Sequence, residues 1–233
     1  MEKSKHLIIG AGEAGTSVFN VLKKHYEADM RDIDGEVGIS PEVLHICFPY
    51  TENFLEETKK YIKQYNPSLI IIHSTVKPGT TSQIGNIAVH SPIRGVHSDL
   101  ERGIKTFVKY FGGPKAKEAA NYFGNIGIKT EIFDKAETTE VLKILSTTYY
   151  GWNIVFYKEV ERICSEMGLD FEEVYTIPNQ DYNKGYRELG MDYVVRPVLK
   201  PMPGKIGGHC IVSNCDLLES WITEMVKKRN SSY

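Results

Sequence analysis

The stretch His6-Leu7-Ile8-Ile9-Gly10-Ala11-Gly12-Glu13-Ala14-Gly15 decides the fold. A short apolar run, the pattern of a buried strand, enters a GxGxxG loop. Thr16 to Lys24 then carries Val18, Val21 and Leu22 at helical spacing. Strand, glycine loop and helix in that order is the setting a dinucleotide fingerprint requires. The first glycine makes the tight turn, the second lets a pyrophosphate approach the backbone, and the third lets helix and strand pack closely. The helix then offers unpaired N–H groups and the positive end of its dipole to phosphate. Asp32 follows Gly10 by 22 residues. A carboxylate near that distance bonds a ribose 2′-hydroxyl and repels a 2′-phosphate, which favours NAD over NADP. Asp29 and Asp34 compete for the role, because Ala28 to Ile33 is a weak strand by composition.

Working outward, Leu44 to Phe48 reads as a second buried strand stopped by Pro49. Thr51 to Tyr65 reads as a helix with Thr51 as its N-cap. Leu69-Ile70-Ile71-Ile72 is apolar throughout, as a strand covered on both faces should be. Alternation of this kind predicts an α/β, Rossmann-like, doubly wound parallel sheet. Ligands of such sheets bind outside the carboxyl ends of the strands. The candidate cofactor-binding residues are therefore Gly10, Gly12, Glu13, Ala14, Gly15, Asp32, Pro49, Ser74 and Thr75. Gly112-Gly113-Pro114 is expected to open a further helix that stops at Gly124, and Lys129 to Phe133 to form the last strand.

The second half of the chain reads as helical. Glu137 to Met167 carries Val141, Leu145, Tyr149, Trp152, Phe156, Val160, Ile163 and Met167 as one apolar stripe, with Gly168 as its stop. Asp170 to Glu173 looks like a capping box, and Leu217 to Lys228 like a final helix. These readings divide the chain into a cofactor-binding domain, 1–135, and a helical domain, 136–233. In Pro203-Gly204-Lys205-Ile206-Gly207-Gly208-His209-Cys210, three glycines remove side chains beside one thiol. Glycine permits close backbone approach, so Cys210 is expected on a tight loop that a substrate can reach.

Four segments in this order resemble the UDP-glucose/GDP-mannose (nucleotide-sugar) dehydrogenase family: the GxGxxG loop, Ser74-Thr75-Val76-Lys77-Pro78-Gly79-Thr80-Thr81, the helical Lys143, and Gly207-Gly208-His209-Cys210. The resemblance covers nearly the whole chain, and its last segment is most similar to the branch that oxidises N-acetylhexosamine nucleotides. It implies an NAD-dependent enzyme that oxidises a primary alcohol through a thioester on Cys210. Thr75 would lie beside the nicotinamide, and Lys143, Thr147 and Asn214 would complete the catalytic set. Arg196 and Lys200, with Gly207 and Gly208, would bind substrate. The long helix would form a homodimer, giving the second domain a dimerisation role.

Several positions depart from the family pattern. Ile93 stands where a glutamate is usual, Thr147 where an asparagine is, and Asn214 where an aspartate is. Lys205 replaces a glycine. The family's C-terminal nucleotide-gripping domain has no counterpart in this sequence, and the segment between Asp32 and Leu44 leaves no room for the usual helices. Two classes of function stay open on these residues. One is an NAD-dependent oxidoreductase, including a single-step alcohol dehydrogenase on a smaller substrate; the other is a non-catalytic NAD-binding or scaffold relative.

Composition narrows the field without choosing within it. Among 233 residues, 28 basic side chains balance 30 acidic ones, so no charge block points to nucleic acid. No apolar run has membrane-spanning length, and no signal-peptide layout precedes the first strand. Cys47, Cys164, Cys210 and Cys215 lack a tight pairing pattern, which fits a reducing, cytoplasmic setting. No CxxC or HxxxH pair accompanies His209, Cys210 and Cys215, which argues against a zinc site, so no metal is expected.

Overall fold

The computed structural model describes residues 4–32, 40–206 and 210–233. The chain divides into two compact units, residues 1–143 and 144–233. In the first, seven strands form one sheet: β1 (Lys5–Ile9), β2 (Glu27–Arg31), β3 (Val43–Ile46), β4 (Leu69–Ile72), β5 (Ala88–His90), β6 (Lys109–Gly112) and β7 (Thr130–Phe133). Their order is β2-β1-β3-β4-β5-β6-β7. The chain moves outward in one direction from β1 to β2 and in the other from β1 to β3. The switch point of a doubly wound sheet therefore lies at the carboxyl ends of β1 and β3, where the Gly10–Gly15 loop is.

Alternation along each strand sends successive side chains to opposite faces. Ile8, Val43, Ile71 and Phe111 pack under α1 (Glu13–Leu22), α4 (Leu100–Thr106) and α5 (Ala116–Gly124), together with Val18, Leu22, Ile104 and Phe123. Leu7, Ile9, Leu44, Ile46, Ile70 and Ile72 pack on the other face with Phe54, Tyr61 and Tyr65 of α2 (Phe54–Tyr65). A short helix, α3 (Thr80–Ile84), follows the loop after β4.

The expected all-parallel sheet is corrected at one place. β6 runs antiparallel to β5, joined through His90 and Gly112. The cause lies in the connection. A parallel return needs a crossover that carries the chain back to the starting edge. Here α4 has seven residues, roughly 10 Å of helix, and it folds back on the segment it has just left. A Cβ on Gly103 would stand 2.4 Å from the carbonyl oxygen of Arg94. The chain stays at the carboxyl edge, and β6 sets off from there.

Several boundaries also shift. α1 starts at Glu13 rather than Thr16, because Gly12 already takes the N-cap position. α2 starts at Phe54 after Asn53, so Thr51 is not its N-cap; Thr51 instead accepts the Phe54 N–H on its carbonyl (3.0 Å). α5 starts at Ala116, which leaves Pro114 outside it.

The second unit takes most of α6 (Ala136–Met167), which has 32 residues. A π-helical turn (Glu172–Thr176) leads into α7 (Ile177–Glu188), and Asp170 accepts the Glu173 N–H at 3.0 Å as its cap. The helix expected at 217–228 is present as α9 (Trp221–Asn230), capped by Ser220, and a short helix not expected from the sequence, α8 (Ile211–Cys215), precedes it. The unit's core is small: Val155, Ile206, Ile211, Cys215 and Val226. Gly151 lets α6 close on it, since a Cβ there would meet Ile211 at 2.8 Å and Val226 at 3.0 Å. The helix face that packs inward carries Ile144, Thr148 and Val155. The long stripe read from the sequence lies elsewhere: Tyr149, Phe156, Ile163 and Met167 are exposed. Trp152 departs from that stripe, donating its indole N–H to the Ile222 carbonyl (3.0 Å).

Two buried polar features of the first unit set its stability. Glu140, fully buried on α6, accepts the N–H groups of Gly79 (2.6 Å) and Thr81 (2.9 Å) and the Thr81 hydroxyl (2.6 Å). It thus caps α3 from outside, although burial still raises its pKa above the ordinary carboxylate value. Removing it leaves buried donors without partners, each costing about 1–3 kcal/mol. Glu140→Ala is expected to lower unfolding free energy by about 2–4 kcal/mol in urea titrations. Glu140→Gln, which keeps one acceptor oxygen, should fall between. Secondly, His6, His45, His73 and His90 are all buried, and burial pushes His6 down to about 4, His90 down to about 3, and the other two well below the usual imidazole value. A depressed pKa contributes stability that is full above about 6.5 and is lost as the pH falls through the folded-state value. The thermal midpoint should therefore drop steeply between pH 6.5 and 4, and less steeply in His6→Gln.

Candidate functional site

In the first unit the glycine loop has the form a dinucleotide needs. Gly10 sits at φ +101°, and a Cβ on it would meet the backbone of Phe48 at 2.9 Å. A Cβ on Gly15 would stand 1.8 Å from the Gly10 carbonyl oxygen. At Gly12, by contrast, a Cβ would meet nothing within 4 Å. Its role is to open space over the N-terminus of α1, which has no side-chain cap. First-turn N–H groups with no side-chain cap, above a helix dipole, fit a pyrophosphate.

Glu13 and Ala14 supply the next two backbone N–H groups. The Glu13 carboxylate itself turns away to a neighbouring loop, accepting the Ser98 N–H and bonding His97 Nδ1 (2.9 Å). Those bonds, first the one from His97, hold its pKa below the ordinary value. A cleft of about 390 Å³ runs here, lined by Gly12, Glu13, Thr16 and Ser98 among others.

Asp32 follows the end of β2 directly and is exposed. Asp29 is occupied locally, accepting the Met30 N–H at 2.8 Å. Asp34 lies outside the described residues. Sequence reasoning passed over Arg31, whose guanidinium reaches Tyr65 Oη (2.7 Å) and lies over the Tyr61 ring. An arginine at this place is the group that would take a 2′-phosphate; here it is engaged by α2.

Pro49 follows β3, and Ser74 and Thr75 follow β4. Ser74 donates to the Phe48 carbonyl at 2.5 Å, tying the two strand ends together. His90 bonds the Ser74 carbonyl (3.1 Å) through Nε2 and Thr139 Oγ1 (2.9 Å) through Nδ1. The family's glutamate position, Ile93, is buried, and its carbonyl accepts a bond from Lys143 Nζ (2.8 Å). The carboxyl edge of the sheet thus assembles the glycine loop, Pro49, Ser74, Thr75 and Lys143. Glu140 and His90 hold that edge and were missed in sequence reasoning. The signal available was a His-Ser-Pro run and a glutamate three residues before Lys143.

In the second unit Thr147 and Asn214 come together: Asn214 Nδ2 donates to Thr147 Oγ1 (3.1 Å), which donates to the Ile144 carbonyl (2.8 Å). Cys210 takes the N-cap position of α8, half-buried, and Asn214 is on that same short helix. Gly207 and Gly208 lie outside the described residues, as does His209. Cys215 is buried against Thr148 and cannot serve as the reactive thiol. Arg196 is stacked on the Tyr182 ring (3.5 Å from guanidinium to centroid), bonds Asn179, and is pinned through its backbone to Asn183. It borders a cleft of about 330 Å³ that Tyr149, Phe156, Tyr175 and Tyr193 also line. Lys200 is exposed and has no part in that cleft.

Among the described residues, no helix is long and apolar enough to cross a membrane, and no three His, Cys, Asp or Glu side chains gather as a metal site.

Comparison with known proteins agrees with this fold. Residues 137–228 match the profile of the UDP-glucose/GDP-mannose dehydrogenase family, central domain. The UDP-N-acetyl-D-mannosamine dehydrogenase of Methanocaldococcus jannaschii is 28% identical over 173 residues, which are 70% of this chain and 37% of that protein. The chain therefore spans well under half the length of that curated relative. Among solved structures, UDP-D-ManNAc dehydrogenase from Pyrococcus horikoshii aligns over 97% of this chain and 68% of its own, with TM-score 0.78 and 17% identity. A 3-hydroxyisobutyrate dehydrogenase of Mycobacterium tuberculosis shares the fold over 100% of this chain and 94% of its own, with TM-score 0.71 and 12% identity. Residues 137–228 are thus similar to the central domain of the UDP-glucose/GDP-mannose dehydrogenase family, and the fold of the whole chain is that of dehydrogenases of known structure.

Proposed function

We propose that this chain is an NAD-dependent oxidoreductase that acts on a nucleotide sugar, with residues 1–135 as cofactor domain and 136–233 as helical domain. The observation that carries the reading is the uncapped N-terminus of α1 under Gly12, between two glycines that admit no Cβ. Gly10, Gly12, Glu13, Ala14 and Gly15 would hold the pyrophosphate through backbone N–H groups. Asp32 would bond the ribose hydroxyls, and Pro49, Ser74 and Thr75 would wall the nicotinamide. When bound, the oxidised nicotinamide supplies the acceptor for hydride leaving the alcohol carbon. Lys143 would stabilise the oxyanion that develops as the alcohol proton is lost. The Cys210 thiolate would then add to the aldehyde carbon; hydride leaving that carbon for a second oxidised nicotinamide, exchanged for the reduced one, would give a thioester that water cleaves to the acid, freeing the thiol. Thr147 and Asn214, bonded to each other, would orient the groups around that thiol; Asn214 cannot serve as a base. Arg196, Lys200, Gly207 and Gly208 would bind the diphosphate.

A second reading keeps the cofactor and drops the thioester. Position 214 carries an amide bonded to the Thr147 hydroxyl, and an amide cannot take the proton of an attacking water. Oxidation would then stop after one hydride, on a nucleotide sugar or a smaller alcohol.

The assay that separates these readings follows NADH formation over a panel of nucleotide sugars and small hydroxy acids. NAD should bind at least tenfold tighter than NADP; the reverse order would remove Asp32 from its role and give Arg31 the 2′-phosphate. With a nucleotide sugar, two NADH per substrate and an acid product are expected. Cys210→Ala should abolish acid while leaving the first hydride step, and Lys143→Ala should lower both by tenfold or more. One NADH per substrate, unchanged in Cys210→Ala, would establish the single-step reading.

The same reading includes a cytoplasmic homodimer. Tyr149, Phe156, Ile163 and Met167 leave an exposed apolar stripe along α6, and a stripe of that length is unusual on a free surface. Sedimentation equilibrium at micromolar concentration should give about twice the 26.4 kDa chain mass. Phe156→Glu should return it to one chain.

A further inference from the structure

A line of buried polar side chains crosses the first unit's sheet on the α5 face. Ser4 Oγ lies 2.9 Å from His6 Nε2. His6 Nδ1 lies 2.9 Å from His45 Nε2, and His45 Nδ1 lies 2.9 Å from His73 Nε2. His73 Nδ1 ends the line 2.8 Å from the Ser91 carbonyl oxygen. Lys109 Nζ closes on the same point, 3.0 Å from that oxygen and 3.3 Å from His73 Nδ1. The two-residue period of the strands explains the alignment: His6 is in register with Ile8, His45 with Val43 and Cys47, His73 with Ile71, and Lys109 with Phe111, all on one face.

The chemistry of this line is restrictive. A neutral imidazole has one N–H and one lone pair. Each ring-to-ring bond needs one of each, so two arrangements satisfy the whole line. Either all three rings carry the proton on Nδ1, with Ser4 donating to His6 and His73 donating to Ser91, or all three carry it on Nε2. An ammonium has donors only. When Lys109 is charged it can satisfy both the Ser91 oxygen and a bare His73 Nδ1, which selects the Nε2–H arrangement. When Lys109 is neutral, the Ser91 oxygen takes its bond from His73 Nδ1–H.

We propose that Lys109 and the three imidazoles form a single proton-binding site in which uptake of a proton at Lys109 reverses the tautomers of His6, His45 and His73 together. The balance is one proton. It enters at Ser4 from solvent, three N–H bonds break at Nδ1 while three form at Nε2, and one forms at Lys109 Nζ. No ring carries charge before or after the transfer. The inference goes beyond the oxidoreductase reading and does not depend on it.

The surroundings support a site that changes charge near neutrality. The lysine is 4% exposed and forms no ion pair among the described residues. The titratable and charged groups that face it are Cys47, Arg94 and Lys143, and the rings of Phe111 and Phe123 lie 5.6 and 5.2 Å from its amine. Tyr26 and Tyr122 flank His6, and His90 acts on His73 through its field. No carboxylate is among the described groups that act on Lys109; at the far end Tyr122, which bonds Ser4, feels the charges of Glu118 and Glu42. Cys47 stays a thiol, its pKa pushed up to about 12 by burial. Burial likewise brings Lys109 down to about 7, whereas the imidazoles stay uncharged through that range.

The test is a titration of the full chain, without substrate or cofactor, from pH 5.5 to 8.5. Long-range ¹H–¹⁵N correlation reads the tautomer of each histidine ring, and the Lys109 ¹³Cε shift reads its charge. Expected are Nε2–H rings at low pH and Nδ1–H rings at high pH, with one midpoint near 7 shared by all four residues. Lys109→Met should hold the three rings in the Nδ1–H form throughout, and if that variant fails to fold the native titration still decides. Tautomers that stay fixed across the range, midpoints that differ between the residues, or a doubly protonated ring would each overturn the proposal.

Discussion

The carbonyl oxygen of Gly10 governs the first unit. It leaves 1.8 Å for a Cβ at Gly15, so α1 can lie this close to β1 only because residue 15 has none. The turn that aims that oxygen needs φ +101° at Gly10, where a side chain would also strike the backbone at Phe48. Two steric exclusions thus fix the entry of α1 over the switch point of the sheet. The uncapped N-terminus at Gly12 follows from them. Everything that lines the carboxyl edge is referred to this loop: Ser74 ties β4 to the end of β3, and His90 ties β5 back to Ser74.

Around this loop the unit buries more polar chemistry than a sheet of this size requires. Burying polar groups is tolerable only when each is bonded. Glu140 is satisfied by two backbone N–H groups and a hydroxyl; His90 by a hydroxyl and a carbonyl; the His6–His45–His73 line by its ring-to-ring bonds, with Ser4 at one end and the Ser91 carbonyl and Lys109 at the other. Ser91 Oγ is the exception, a buried hydroxyl without a partner among the described residues. The burial is cooperative in its consequence: losing one member leaves another orphaned, so these groups specify register as well as stability.

The second unit is organised differently. Its core holds few residues, and much of α6 is apolar and exposed. What it fixes well is local: Gly151 seats α8 and α9 on α6, and Asn183 with Tyr182 holds Arg196 against α7. The bond between Thr147 and Asn214 joins the two positions where this sequence departs together from the family pattern. An amide donor and a hydroxyl acceptor satisfy each other there.

Much of the fold was legible because its signals are local. The apolar run 69–72 matches β4 residue for residue, and the glycine loop places a turn and a helix start by steric demand alone. The helix at 137–167 was visible from one-dimensional spacing, and Gly168 at φ +65° ends it. The antiparallel strand β6 was not visible, because its direction depends on α4 folding back on Arg94, a contact no periodicity records. Nor was the role of the long stripe, since spacing shows that Tyr149, Phe156 and Ile163 share a face but not that this face stays outside the unit's core. The clearest limit is at His6, His45, His73 and Lys109. Each reads alone as one polar residue in or beside an apolar strand. Only pairing β1 with β3, β3 with β4, and setting β6 beyond β5 brings their nitrogens to hydrogen-bond distance. The sequence determined which residues alternate onto one face; strand order decided which of them meet.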